Sequence, residues 1–151
     1  MAIPLASALS GISGILVTPF DADDRIAPAR LSPIIDRAVD AGVHILVANG
    51  NTGEFYGLTM AEAEAMAAAV VAQVNGRVPV IAGAGKSVND ACHLARQAKS
   101  IGASAVMVHQ PPDPFVAPRG VVTYVRRVAE AADGLPVVLY LRNDAIGIDT
   151  I

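Results

Sequence analysis

The chain has 151 residues, 53% of them hydrophobic and 17% charged, enough apolar material for a sizeable core and too much for a disordered chain. A net charge of −3 with no run of Lys or Arg makes nucleic acid and anionic membrane poor partners, and no stretch approaches the roughly 18 apolar residues of a membrane span. The single cysteine, Cys92, excludes a disulfide framework and a multi-cysteine metal site.

Residues 1–14 carry no basic segment and no uninterrupted apolar run ahead of a cleavage site, so no secretory signal is expected and the cytoplasm is the default compartment. A first strand is predicted over residues 14–20. Leu31, Ile34, Ile35, Ala38 and Val39 then follow helical spacing and stop at Gly42, a natural C′ residue. Pro33 leaves two starts open for this helix: Ser32 caps a helix beginning at Pro33, or Pro28 begins it and the first turns are distorted. A second strand is expected over 44–50. Thr59-Met60-Ala61-Glu62 reads as a capping box that opens an alanine-rich helix to about Val74. Strand three follows over 78–83. Ser87-Val88-Asn89-Asp90 opens the next helix, which buries Leu94, Ala95, Ala98 and Cys92 before ending at Gly102. Strand four is placed at 105–109, a helix at 119–132 with Val121, Val122, Val125 and Val128 as its apolar stripe, and strand five at 136–141.

Strand and helix alternate with a unit of about 30 residues, the signature of βαβ units in a parallel sheet. Two α/β architectures accept the pattern over 1–151 as one domain. One is a (β/α)8 barrel represented by its first five βα units, since a full barrel takes about 250 residues; the other is an open five-stranded doubly wound sheet.

In both, ligands gather at the C-terminal ends of the strands. Those ends carry Thr18 and Pro19, then Asn49 to Glu54, then Gly83 to Lys86, then His109 to Asp113, then Tyr140 to Asp144. In Gly50-Asn51-Thr52-Gly53-Glu54, turn amides, an amide side chain and a hydroxyl can converge on a carboxylate, or the glycines simply allow a tight strand-to-helix turn. Glu54 reads as a structural acceptor or a base. Gly83-Ala84-Gly85-Lys86-Ser87 ends like a phosphate loop, but the glycine that motif needs is Val80. His44, His93 and His109 are not spaced as metal ligands, so no metal is expected. His109 is an acid or base at a strand end, or a hydrogen-bonded loop histidine. Cys92 is expected to be a buried, inert thiol, and Tyr140 either shuttles protons or is a core tyrosine with a satisfied hydroxyl.

Taken in order, Leu16-Val17-Thr18-Pro19-Phe20, Gly50-Asn51-Thr52-Gly53-Glu54 with Leu58-Thr59, Pro79-Val80-Ile81-Ala82-Gly83, and Tyr140 resemble the dihydrodipicolinate synthase and N-acetylneuraminate lyase family of Schiff-base aldolases and dehydratases. The resemblance implies a (β/α)8 barrel, a homo-oligomer, usually a tetramer, no cofactor, and a small 2-oxo acid such as pyruvate as substrate. It also implies a lysine on strand six that forms an imine with the substrate carbonyl, with Tyr140 relaying protons and the Asn51, Thr52 and Gly53 turn binding the carboxylate. Thr18 joins that substrate-binding set. Neither Lys86 nor Lys99 matches the family nucleophile, so the chain is not expected to form the imine alone.

Three departures from the family pattern stand out. Asn51 replaces a threonine whose hydroxyl commonly belongs to the relay. The stretch 109–115 stands where lysine-biosynthesis members carry a tyrosine pair. Tyr140-Leu141-Arg142-Asn143-Asp144 replaces the usual Tyr-Asn-x-Pro, and Ala145 stands where an arginine normally follows. The resemblance is then nearer the sugar-acid dehydratase branch, such as 5-dehydro-4-deoxyglucarate dehydratase, with Arg142 on the distal substrate group. The competing expectation is a non-catalytic α/β binding or assembly module that keeps a carboxylate site.

Overall fold

The computed structural model describes residues 4–113 and 115–141. Helix α1 (Leu5–Leu9) precedes strand β1 (Ser13–Ile15). The units that follow are α2 (Ser32–Asp40), β2 (Ile45–Ala48), α3 (Met60–Val74), β3 (Val80–Ala84), α4 (Val88–Ser100), β4 (Ala105–Val108), α5 (Pro118–Ala132) and β5 (Val137–Leu139). All four strand pairings are parallel, and the five strands lie in sequential order, β1-β2-β3-β4-β5.

That order decides between the two expected architectures. A doubly wound sheet reverses its strand order at a switch point and carries helices on both faces. Here no reversal occurs, and α2 to α5 all pack on one face. Leu46, Ala48, Val80, Ala82, Val106 and Val108 meet Ile35, Met66, Val70, Leu94, Ala95 and Val128 in the larger core. The alternate residues Ile45, Val47, Ile81, Ala105 and Met107 form a second cluster, which Leu5 and Ala8 of α1 cover. The sheet is therefore the arc of a barrel: helices outside, a packed interior inside, and α1 against that interior. Side chains alternate between two apolar faces along each strand, which is why the strands read as continuous apolar runs.

The edge strands are less covered. Ile15 and Val17 on one edge and Leu139 and Leu141 on the other are exposed by about two-fifths or more of their surface (42%, 43%, 46% and 43%). Among the described residues no helix is long and apolar enough to cross a membrane.

Several elements differ from expectation. β1 is shorter than residues 14–20. Leu16 N–H still donates to the Val47 carbonyl, but Pro19 has no N–H to continue the ladder, and Phe20 instead bridges antiparallel to Ile26. Within that small loop the Asp21 carboxylate accepts from the Arg25 and Asp23 amides, which hold its pKa down. The Pro33 alternatives resolve into both elements in series: a 3-10 turn over Pro28–Leu31, then α2 from Ser32, whose φ of −49° and ψ of −54° are already helical. Ser32 is the first helical residue and not a cap, so Pro33 sits in the first turn, where its missing N–H removes no helical bond. On α5 the buried set is Tyr124, Val128 and Ala132, with Val125 packed beside them. Val122 is 57% exposed, because it lies two residues, about 200° of helical rotation, from Tyr124. Helix α1 was not expected at all.

Other local signals hold. Thr59 Oγ1 accepts from the Glu62 amide, and the Thr59 N–H donates to the Glu62 carboxylate at 2.8 Å, closing the capping box and lowering the Glu62 pKa. Ser87 Oγ accepts from the Asp90 amide at 3.1 Å. Cys92 is buried, with Sγ 3.4 Å from the Arg127 carbonyl.

Candidate functional site

The C-terminal end of β2 leads into a double turn, residues 50–58, and each other strand end sends a group toward it. Asn49 leaves the strand with φ of +57°, its Nδ2 on the Ala63 carbonyl of α3 at 2.8 Å. Two 3-10 turns follow, Asn51–Gly53 and Phe55–Gly57, hinged at Glu54 with φ of +57°. The Gly53 and Glu54 amides donate within the turn, to the Gly50 and Asn51 carbonyls, each at 3.0 Å. As at any helix start, the first amides, those of Asn51 and Thr52, have no partner inside the turn, and among the described residues no main-chain acceptor meets them.

From β1, the buried Thr18 hydroxyl donates to the Gly53 carbonyl at 2.6 Å. A Cβ on Gly53 would lie 2.9 Å from the Leu16 carbonyl, so only glycine lets the turn seat this closely on β1. From the end of β3, Lys86 reaches under the turn. Its ammonium donates to the Leu58 carbonyl, lies 3.5 Å from that of Tyr56, and stands 5.4 Å from the Phe55 ring centroid. The Lys86 carbonyl in turn accepts from Tyr124 Oη of α5 at 3.3 Å.

From the end of β4 comes His109, fully buried. Its Nε2 donates to the Asn49 main-chain carbonyl at 2.8 Å, and its ring stacks on Phe55 with centroids 4.5 Å apart and 8° between planes. Tyr56 and Tyr140 both stand edge-on to this imidazole, each with centroids 5.6 Å away. Burial pushes the His109 pKa down more strongly than the Asn49 carbonyl raises it, so the ring is neutral at pH 7 with its proton on Nε2. His109 fills space that two glycines vacate. A Cβ on Gly83 would meet the Asn49 oxygen at 2.1 Å and His109 Nε2 at 2.9 Å, and one on Gly85 would meet Phe55 at 2.7 Å.

The expected site residues thus fall into groups. Thr18 and Gly53 touch directly. Tyr140 joins them through His109 and Phe55, held by its amide on the Val108 carbonyl at 3.1 Å. Thr52 is exposed, and Asn51 is half-buried with its carboxamide oxygen sealed and without a partner among the described residues. Rotating that carboxamide by 180° puts Nδ2 in place of Oδ1, so Asn51 can offer either a donor or an acceptor. Arg142, with Asn143 and Asp144, lies outside the described residues. The Thr18 proton is committed to Gly53, which makes Thr18 a brace for the turn. His44 and His93 are elsewhere: His44 Nδ1 accepts from Ile12 N at 3.1 Å, and His93 pairs with Glu64 at 2.8 Å on the helical exterior.

Sequence reasoning missed Phe55, Tyr56 and the Lys86 clasp. The signal for Phe55 and Tyr56 was present, as two aromatics in a chain with few, directly after the turn. Buried polar atoms without partners among the described residues include Asn51 Oδ1, His109 Nδ1 and Gln110 Nε2, on the two loops that meet here. Such atoms are rare in folded proteins and mark places where water or a ligand completes the bonding.

Residues 8–150 match the model of the dihydrodipicolinate synthetase family. The chain belongs to that family. Among curated members it is 38% identical over 143 residues to the 4-hydroxy-tetrahydrodipicolinate synthase of Stenotrophomonas maltophilia, covering 94% of this chain and 48% of that protein. To the synthase of Staphylococcus carnosus it is 35% identical over 152 residues, covering 97% and 51%. Among solved structures, dihydrodipicolinate synthase from Bacillus clausii superposes with a TM-score of 0.87 at 42% identity, over 95% of this chain and 48% of the other. YagE, a prophage protein of the family from E. coli K12 solved in complex with pyruvate, gives 0.85 at 31% identity, over 91% and 48%. The chain spans about half the length of the family members it matches.

Proposed function

We propose that residues 1–151 form one domain, the N-terminal five βα units of a lyase, an aldolase or dehydratase that acts on pyruvate or a 2-oxo sugar acid through a lysine imine. The observation that carries this reading is the convergence of groups from the ends of β1, β3 and β4 on the 50–58 turn that follows β2, with Tyr140 after β5 packed on His109 and partnerless polar atoms beside them among the described residues. The pyruvate complex of the E. coli relative supports a 2-oxo acid as the ligand class.

In this reading the open amides of Asn51 and Thr52, with the Asn51 carboxamide and Thr52 hydroxyl, bind the carboxylate, and Gly53 lets the turn close on β1. Tyr140 carries protons to and from the substrate. His109 stays neutral and fixes the separation of β2 from β4, and with Phe55 it forms the floor beneath Tyr140. The imine lysine comes from outside these residues. Lys86 is held by main-chain carbonyls under the turn, and Lys99 pairs with Asp133 between α4 and the end of α5. A homo-oligomer in the cytoplasm completes the proposal.

The sugar-acid branch, nearer 5-dehydro-4-deoxyglucarate dehydratase, is supported by the Arg142-Asn143-Asp144 stretch after Tyr140, with Arg142 as the residue for a distal substrate group. Confinement of both lysines also gives weight to the second reading, a binding or assembly module with a carboxylate site. Borohydride reduction in the presence of pyruvate separates the readings. No adduct is expected on the 151-residue chain, whereas an adduct is expected when the coding sequence is extended through a lysine-bearing sixth strand. An adduct on Lys86 or Lys99 would refute the assignment of the nucleophile, and failure of the extended chain would refute the lyase reading.

A further inference from the structure

Tyr56 is not explained by packing alone. It is 46% exposed, yet its ring is held on two sides, edge-on to Phe55 at 5.3 Å and to His109 at 5.6 Å. Its hydroxyl donates to the Gln110 carbonyl at 3.0 Å, tying the β2 turn to the β4 loop. A phenol has one proton and two lone pairs. With the proton committed to Gln110, what the half-exposed Tyr56 oxygen still offers is an acceptor. Tyr140 stands on the same imidazole at the same 5.6 Å, 65° to its plane against 70° for Tyr56. Burial raises the Tyr56 pKa, and a charge on the Tyr140 phenol would raise it further, so the two phenols share one environment.

We propose that Tyr56 is a specificity-determining residue of this site, its oxygen accepting a hydrogen bond from a ligand hydroxyl and so selecting 2-oxo acids hydroxylated beyond the carbonyl over pyruvate. The assignment rests on the carboxylate reading of the 50–58 turn. A carboxylate or a carbonyl has no proton to give this oxygen. A hydroxyl on the carbon chain does, and it would lie on the Tyr140 side of the turn. The hydroxylated acid then gains about one hydrogen bond's worth of affinity that pyruvate, with no hydroxyl to donate, does not.

The chain has three tyrosines and no tryptophan, so 3-fluorotyrosine incorporation gives one 19F reporter for each of Tyr56, Tyr124 and Tyr140. Lines are assigned with Tyr56→Phe, Tyr124→Phe and Tyr140→Phe. The ligands are pyruvate and 4-hydroxy-2-oxoglutarate. The hydroxylated acid is expected to move the Tyr56 and Tyr140 lines along one saturation curve while the Tyr124 line, from the far side of Lys86, stays still. Tyr56→Phe keeps the ring packing and removes the acceptor, so it is expected to weaken the hydroxylated acid about fivefold to tenfold, one hydrogen bond's worth, and pyruvate less than about twofold. Equal weakening of both ligands would assign Tyr56 a structural role and overturn the proposal. A Tyr140 line that moves while Tyr56 does not would overturn it too, leaving the carboxylate reading intact. If neither line moves with either ligand while far-UV circular dichroism shows a folded chain, both readings fall.

Discussion

The closest approach in the site is also its most testable. Gly83 on β3 faces the Asn49 carbonyl, and a methyl group built there sits 2.1 Å from that oxygen and 2.9 Å from the Asn49 carbonyl carbon. Neither neighbour is the free end of a flexible side chain. Asn49 is pinned by its Nδ2 bond to Ala63, and its carbonyl receives the 2.8 Å bond from His109. Gly83→Ala therefore has to push two strands apart, at about 1–3 kcal/mol for overpacking, and stretch the His109 bond, leaving a buried imidazole N–H short of its acceptor at about 1–3 kcal/mol more. The sum, about 2–6 kcal/mol, is a large share of the 5–15 kcal/mol that typically holds a domain together. Urea unfolding followed by far-UV circular dichroism is expected to show the midpoint falling by roughly 1–3 M. Gly57→Ala is the control, since a Cβ there meets nothing within 4 Å, and it is expected to stay within about 0.5 kcal/mol of the parent chain. If Gly83→Ala is as stable as Gly57→Ala, the β2–β3 contact is not set by the missing side chain, and the account of how His109 is seated fails.

His109 is also expected to leave a pH signature. Its folded-state pKa lies below that of the unfolded chain, so the unfolded state binds more protons, and stability falls as pH drops below about 6.5 and is flat above it from this source. The neutral variant His109→Gln should be less stable at pH 7.5 and lose less between pH 6.5 and 5; a parent chain with no such slope would contradict a buried neutral imidazole. Thr18→Val keeps the shape but leaves the Gly53 carbonyl without its donor, an expected loss of about 1–3 kcal/mol in urea unfolding, with pyruvate affinity weakened through the displaced turn. Unchanged affinity would separate Thr18 from the site. Thr59→Ala removes the capping box of α3 and is expected to cost about 1 kcal/mol, read in the same way, with no effect on pyruvate binding.

Much of the fold was legible because it rests on local rules. Five apolar runs alternating with helical patterns define βαβ units, and caps such as Thr59 and terminators such as Gly42, Gly102 and Gly134 are set by backbone chemistry within a few residues. The choice between barrel arc and doubly wound sheet was not legible from periodicity, since both present the same alternation. It is decided by strand order and by which face each helix covers, and those are non-local. Helix α1 escaped notice because five residues are too few to show a period, and its existence follows from the inner strand face it covers. Val122 was misplaced because four valines within eight residues suggest one stripe, whereas Tyr124 at 7% exposure takes the inward position and turns Val122 outward.

The site was legible as a list of strand ends, and much less as a set of contacts. Asn51, Thr52 and Gly53 stand out because small and polar residues after an apolar strand are chemically conspicuous. Phe55, Tyr56, His109 and Lys86 hold that turn in place, yet nothing local in the sequence joins them to it: two aromatics near a helix start, a histidine at a strand end, a lysine after a glycine. Their roles come from separations along the chain of 54 residues between Tyr56 and Gln110 and 60 between Asn49 and His109, spans over which sequence pattern carries no information about contact. The same geometry explains why Lys86, although on the ligand-binding rim, is an unsuitable nucleophile. An amine attacking a carbonyl must be free to reach it, whereas the Leu58 and Tyr56 main-chain carbonyls hold the Lys86 ammonium under the turn. Under the proposed function, a rim that fixes its own lysine in this way presents the carboxylate turn and the two phenols to chemistry supplied from elsewhere.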